Sequence, residues 1–234
     1  MYTTELIGRR EMAAQKRLNR DELIATALSL TDTEGLGAVT IRRVAQQHDV
    51  TPMALYRHFP DKEGLLDAVA ESLLASVEMP EPDDRPWYEQ LEGVLTAVVK
   101  ALVPHPNAAV LLLTRITGSE PGLDITERVL AQLGSAGMDV QRGADSSCHV
   151  LASLITLVIG EPGHASGDAE EQEAAVRAKR AHLNSLSPRR YPHVVAAAGP
   201  LADCASAELY YRRGIELIVT GLRGLRSGSQ PVAG

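Results

Sequence analysis

The sequence predicts an all-α chain. Apolar residues recur at three- and four-residue spacings through most of its length, and no run of alternating β-branched residues is bounded by hairpin turns. Near the N-terminus three short helical stretches follow one another, with a turn of about three residues between the second and third.

The first helix opens at Asn19, with Glu22 three residues on as in a capping box. Leu23, Ile24, Ala27, Leu28 and Leu30 share its inner face until Gly35 and Gly37 stop it. Thr40 caps a second helix in which Ile41, Val44, Ala45 and His48 face inward and Arg42, Arg43, Gln46 and Gln47 face out. After the turn 48–50, Thr51 caps a third helix over 51–59. Pro52 sits where a missing N–H costs nothing, and Pro60 forbids continuation. Leu55 and Phe59 form its inward stripe, an arrangement that reads as a helix-turn-helix. Asp61 caps a fourth helix through Leu65, Leu66, Val69, Leu73 and Leu74 to about 77.

The segment 79–86 (MPEPDDRP) holds three prolines and reads as a linker or sharp bend. Helices are then expected at about 87–103, 106–117, 123–136, 138–160, 169–186 and 202–225, with a mobile Gly-, Pro- and acid-rich insert at 161–173. The resulting division is a basic arm (1–19), a helix-turn-helix head (20–78), the linker (79–86), a helical body (87–226) and a frayed tail (227–234). Arg9, Arg10, Lys16, Arg17 and Arg20 either form an arm that follows a nucleic-acid backbone or enters its minor groove, or a solvated tail.

Composition narrows the function classes. With 234 residues, 44% of them hydrophobic and 23% charged, the chain is long and apolar enough to bury a sizeable core. Its longest apolar run, 150–159, is far short of the roughly 20 residues of a membrane span, and the N-terminus lacks a secretory apolar region, so a cytoplasmic protein without a membrane partner is expected. Cys148 and Cys204 have no ligand-like spacing around them, so no disulfide, metal or cofactor is indicated. Up to Lys62 nine basic residues face eight acidic ones, whereas beyond it 14 basic face 22 acidic. The head is thus the only surface suited to a polyanion, although an imbalance of this size also arises by compositional scatter.

The stretch 20–74, above all TIRRVAQQHDVTPMALYRHFPDKEGLLDAV (40–69), resembles the DNA-binding domain of the TetR family of bacterial one-component repressors. The resemblance rests on the Thr-capped second helix, the three-residue turn ending in Val50, Leu55-Tyr56-x-His58-Phe59, Lys62 and the pair Leu65 and Leu66. YYRRGIELIVTGLRGL, near the end, is similar to the tetracycline-repressor-like C-terminal domain. Two positions depart: Asp49, where the family usually has Gly, and His48, where it often has Leu. The resemblance implies a homodimeric, ligand-binding regulator, most often a repressor, on a palindromic double-stranded operator. Pro52, Met53 and Ala54 match positions that meet bases, Arg42 one that reaches a guanine edge, and Thr40, Tyr56, His58 and Lys62 positions on the phosphate backbone. Arg43, Thr51 and Arg57 complete the outward and flanking faces of the DNA-binding set. A cation at Lys62 opposes the dipole of the helix it begins, which makes better sense beside a phosphate; Tyr56 and His58, taken alone, also read as surface residues at a domain seam.

In the body, Val150, Leu151, Leu154, Leu157 and Val158 on one helix and Leu209, Ile215, Leu217, Ile218 and Leu222 on the last cover apolar sides, and Val150, Leu154, Leu157, Leu209, Ile215, Ile218 and Leu222 are the dimer candidates. Periodicity alone fits a monomer core and a dimer interface equally; the resemblance favours a four-helix bundle across a two-fold axis. Polar groups on apolar helices, namely Thr96, His105, Asn107, Arg115, Thr117, His149 and Thr156, are the sensor candidates for an unidentified small-molecule effector. His105 matches a ligand-contacting histidine of the tetracycline-responsive branch and equally reads as a surface cap. No GxSxG, HExxH, P-loop or GxGxxG occurs, which argues against an enzyme. A third reading is a helical interaction module whose helix-turn-helix has lost DNA binding; salt-dependent affinity for random duplex DNA separates it from a repressor.

Overall fold

The computed structural model describes residues 19–162, 169–203 and 206–227, and among these every regular element is a helix. The head begins with α1 (Arg20–Glu34), where the Asn19 carboxamide oxygen accepts from the Asp21 amide at 3.1 Å. A 3-10 turn (Leu36–Ala38) leads to α2 (Ile41–Gln47), α3 (Pro52–Leu55) and α4 (Lys62–Ala75). Leu23, Ile24, Ala27 and Leu30 of α1 are buried with Val39, Ile41, Val44, Leu55, Phe59, Leu65 and Val69. Each such aliphatic or aromatic side chain contributes roughly 1.5–3 kcal/mol on leaving water. Leu28, expected in the stripe, is only half-buried.

Regular helix in α3 is shorter than the expected 51–59. Beyond Leu55 the backbone continues as turns: the His58 and Phe59 amides both donate to the Leu55 carbonyl at 2.9 Å. Pro60 offers no N–H and biases Phe59 toward extended backbone, so too few i to i−4 bonds remain to carry a full second turn. Thr51 has the extended backbone of a cap, but its side chain makes no capping hydrogen bond.

The chain divides after Val69, within α4, into two compact units. The second unit is built on α5 (Trp87–Leu102), which contacts α8 (Glu120–Ser135), α9 (Val140–Ile159) and α13 (Ala207–Ser227). Leu91, Val94, Leu95, Val98 and Leu102 of α5 are buried with Ile125, Val129 and Leu133 of α8, Leu154, Ile155 and Val158 of α9, and Ile215 and Val219 of α13. Instead of one helix over 106–117 there are α6 (Pro106–Ala109), α7 (Leu112–Arg115) and a 3-10 turn (Ile116–Gly118), with α6 and α7 packed on α9. Helix α8 starts three residues earlier than expected, because Pro121 falls in its first turn, where proline is tolerated.

The segment 79–86 is irregular but fastened. The Gln90 side-chain amide donates to the Asp83 and Arg85 carbonyls, both at 2.8 Å, and the Arg128 guanidinium donates to the Pro80 carbonyl at 3.2 Å. The Arg85 amide and guanidinium hold the Asp83 carboxyl below the usual carboxylate range.

Of the insert expected over 161–173, residues 163–168 lie outside the described residues, and from Ala169 the chain is already helical in α10 (Ala169–Asn184). A run of four good helix formers, Ala169 to Gln172, explains why the acid-rich end of the insert joins that helix. The last helix begins at Ala207 rather than 202 and is preceded by α11 (Pro192–Ala196) and α12 (Ala198–Ala202). Cys204 lies outside the described residues, as does the tail beyond Ser227, itself the last residue of α13.

Candidate nucleic-acid interface

Local chemistry fixes the head. The Thr40 hydroxyl accepts from the Arg43 amide at 3.1 Å and so begins α2. Helix α2 ends in a Schellman motif: the Val50 amide donates to the Ala45 carbonyl at 3.1 Å and the Asp49 amide to the Gln46 carbonyl at 3.2 Å. Asp49 takes the left-handed position this closure requires, with φ 54°. His48 is half-buried: the Thr26 hydroxyl donates to the Glu22 carbonyl at 2.9 Å, leaving its oxygen to accept from His48 Nε2–H at 2.8 Å. The polar His48 therefore ties α2 to α1 where a leucine would only pack.

Leu55 and Phe59 are almost wholly buried, and the side chains between them remain available to a partner. Met53 is 69% and Tyr56 49% exposed, so both side chains are open to a partner. Thr40, Arg42, Thr51 and Arg57 are exposed; Pro52, Ala54, His58 and Lys62 are half-buried. Arg43 is engaged by Glu34 at 2.6 Å, an ion pair that sequence spacing does not reveal. Asp61 accepts from the Gly64 amide at 2.8 Å, which puts Lys62 at the first position of α4. Arg20, grouped with the basic arm by sequence, is instead the first residue of α1, and its guanidinium lies 5.4 Å from the Phe59 ring centroid. The remaining arm positions, Arg9, Arg10, Lys16 and Arg17, fall outside the described residues.

The sensor candidates are not gathered into one pocket. Thr96, Asn107, Thr117, His149 and Thr156 are exposed, while His105 and Arg115 are half-buried. Of the seven, Thr96 lines a groove of about 360 Å³ with Ser76, Glu78, Gly93 and Lys100. The other six line none of the three described cavities. The dimer candidates divide by burial: Val150, Leu154, Ile215 and Leu222 are buried within the single chain, and Leu157, Leu209 and Ile218 are half-buried. The buried four belong to α9 and α13, which pack on each other and on α5, and a Cβ added at Gly214 would lie 2.5 Å from Leu157. The outward face of α13 carries Leu217, 74% exposed, and Leu225, 49% exposed. On α9 one exposed stripe, Ala144, Cys148, Ala152 and Thr156, is made of small residues, while Asp145 and His149 are exposed beside it.

Residues 23–69 match the family model described as bacterial regulatory proteins, tetR family, and residues 79–226 match that of the tetracyclin repressor-like C-terminal domain. The chain belongs to the TetR family of transcriptional regulators. The tetracycline repressor protein class C of Escherichia coli is 30% identical over 216 residues, covering 90% of this chain and 93% of the relative. The TetR-family protein ActR of Streptomyces coelicolor, solved in complex with actinorhodin, is 25% identical with a TM-score of 0.78, over 92% of this chain and 99% of that one. BioQ, solved with its natural double-stranded DNA operator, shares the fold at 24% identity and a TM-score of 0.59, over 89% of this chain and 99% of that one. Among the described residues no single helix is long and apolar enough to cross a membrane.

In this TetR-family head Asp49 bears a conformational cost that glycine would not. Asp49→Gly is expected to stabilise the head by about 0.5–1 kcal/mol and Asp49→Val to destabilise it by about 1–2 kcal/mol. Hydrogen exchange at the Val50 and Phe59 amides reads both: about two- to fivefold slower in the first variant, about five- to thirtyfold faster in the second.

Proposed function

We propose that the protein is a homodimeric, sequence-specific repressor, acting in the bacterial cytoplasm, that binds a palindromic operator and is released from it by a small molecule. The observation that carries this reading is the short α3, anchored through Leu55 and Phe59, with Met53, Tyr56 and Arg57 left exposed beside Arg42. In a major groove those side chains have distinct tasks. Arg42 presents a fork of donors suited to a guanine edge, while Pro52, Met53 and Ala54 offer apolar contact to thymine methyls. Thr40, Tyr56, His58 and Lys62 supply donors and charge to phosphates, fixing register without reading sequence. Arg43 reaches DNA only by exchanging Glu34 for a phosphate.

Two heads are needed to read two half-sites, about one helical turn apart. The outward faces of α9 and α13 support the pairing: small residues at Cys148, Ala152 and Thr156 allow close helix approach, and Leu217 supplies an apolar anchor. An effector acts through its preference for the conformation in which the heads are mis-spaced, and each tenfold loss of operator affinity needs about 1.4 kcal/mol of such coupling. Helix α4 runs across the division between the two units, so it is the lever through which the body acts on the head.

Selection of duplexes from a random pool tests the reading. The wild type is expected to enrich a palindrome, and Met53→Ala or Arg42→Gln to relax preference at particular half-site positions, each by about 1–3 kcal/mol. A wild type that enriches nothing, or variants that keep the same preferences, would contradict it.

A further inference from the structure

Charge reverses sign within the acidic body. Between positions 177 and 213 there are seven basic residues and two acidic ones. That stretch contributes the wall of a cavity of about 560 Å³, lined by Arg180, Gly199, Pro200, Asp203, Tyr210 and Arg213 and bounded by α10, α12 and α13. Its size falls in the range that holds small organic ligands, roughly 300–1,000 Å³.

Its two arginines are only weakly engaged by the chain. Arg180 faces Asp203 at 3.6 Å, beyond good hydrogen-bond length, with side chains 50% and 63% exposed, so that pair contributes little. Arg213 makes no ion pair with another described residue. The Tyr210 hydroxyl donates to the Gly160 carbonyl through a long 3.3 Å bond. Pro200 and Leu209 supply apolar wall, and a Cβ built on Gly199 meets nothing within 4 Å. Two guanidiniums beside a partly apolar hollow, with one carboxylate between them, match the charge and planar donor geometry that bind an organic anion.

We infer that this cavity binds an organic monoanion, its carboxylate, sulfonate or phosphate held between Arg180 and Arg213 and its apolar body against Pro200 and Leu209. On binding, Arg180 exchanges the long contact with Asp203 for a charge-assisted bond to the ligand. The site is separate from the sensor candidates between Thr96 and Thr156 and does not rest on DNA binding by the head; Arg213 stands one turn before Leu217 on the exposed face of α13, so the site borders the proposed contact between copies, and sedimentation distinguishes the two roles.

Direct titration of the full chain tests it, with 1-anilinonaphthalene-8-sulfonate as the anionic probe and N-phenyl-1-naphthylamine as its uncharged counterpart. The sulfonate is expected to bind once per chain and at least tenfold more tightly than the neutral probe. The double variant Arg180→Gln, Arg213→Gln should weaken the sulfonate at least tenfold and leave the neutral probe within about twofold. Asp203→Asn, which removes the competing carboxylate, should tighten the sulfonate severalfold. Gly199→Phe fills the hollow without altering charge and should abolish sulfonate binding. Equal affinity for the two probes, or sulfonate binding that survives both the double variant and Gly199→Phe, overturns the assignment. Loss of sulfonate binding accompanied by a change in sedimenting mass also overturns it, by assigning the arginines to a contact between copies.

Discussion

Leu217→Glu is expected to convert the dimer into a folded monomer and to lower operator affinity by at least a hundredfold. Leucine at this position is 74% exposed in the single chain, so its own fold does not depend on it. Across a two-fold bundle of α9 and α13, however, the substitution buries two like charges without partners, which costs several kcal/mol. A monomer then brings one head to a site that needs two, and the gain from bivalent binding is lost. Ile218→Glu, the choice that periodicity suggests, is less clean, because Ile218 is half-buried beside the core residue Val219 and the variant would also damage its own core. Sedimentation reads the first consequence and circular dichroism the preserved helix content. A Leu217→Glu protein that remains dimeric at micromolar concentration would remove α13 from the interface.

Gly122→Ala is expected to destabilise the body by about 3 kcal/mol, the upper end of overpacking costs. Gly122 is buried in the first turn of α8, and a Cβ there would stand 1.6 Å from the Ile116 carbonyl oxygen and 3.1 Å from Leu74. The clash is with backbone, so no side-chain rotation relieves it and the 3-10 turn Ile116–Gly118 must move. For a chain of this size the melting temperature should fall by about 6–12 °C. Gly134→Ala is the control: the same helix, an exposed position and nothing within 4 Å of the new Cβ. It should be neutral or gain up to about 1 kcal/mol through reduced freedom of the unfolded chain. A Gly122→Ala protein as stable as Gly134→Ala would mean that the turn yields freely.

The head was legible almost residue by residue because its boundaries are set by local chemistry. Asn19, Thr40 and Asp61 each place an oxygen on a first-turn amide, and Pro60 ends the reading helix wherever the rest of the chain lies. The left-handed Asp49 was signalled only by the resemblance, as the position where the family usually has glycine. The breaks after Ala109 and Arg115 did not, since no proline or glycine lies between Asn107 and Thr117 and packing on α9 imposes them. Interface and core were confounded for a simple reason: an apolar stripe looks the same whether its partner is the same chain or a copy. Only the packing shows that Ile215 and Leu222 point inward while Leu217 points out. Spacing could not group the sensor set, because a polar residue on an apolar helix most often marks its solvent side, as at Thr96, His149 and Thr156. Pairs distant in sequence, Arg43 with Glu34 and His48 with Thr26, leave no periodic trace and were missed.

DNA reading by the head is tested most directly by the salt dependence of duplex binding for the wild type and Lys62→Ala. The wild type should bind random and operator duplexes with affinity that falls steeply as salt rises, and the operator far more tightly. Lys62→Ala should weaken both alike and lower the slope of log affinity against log salt by about one, the signature of one lost phosphate contact. A wild type indifferent to salt and sequence, or a Lys62→Ala protein with unchanged slope and affinity at low salt, would contradict a head that docks on the phosphate backbone.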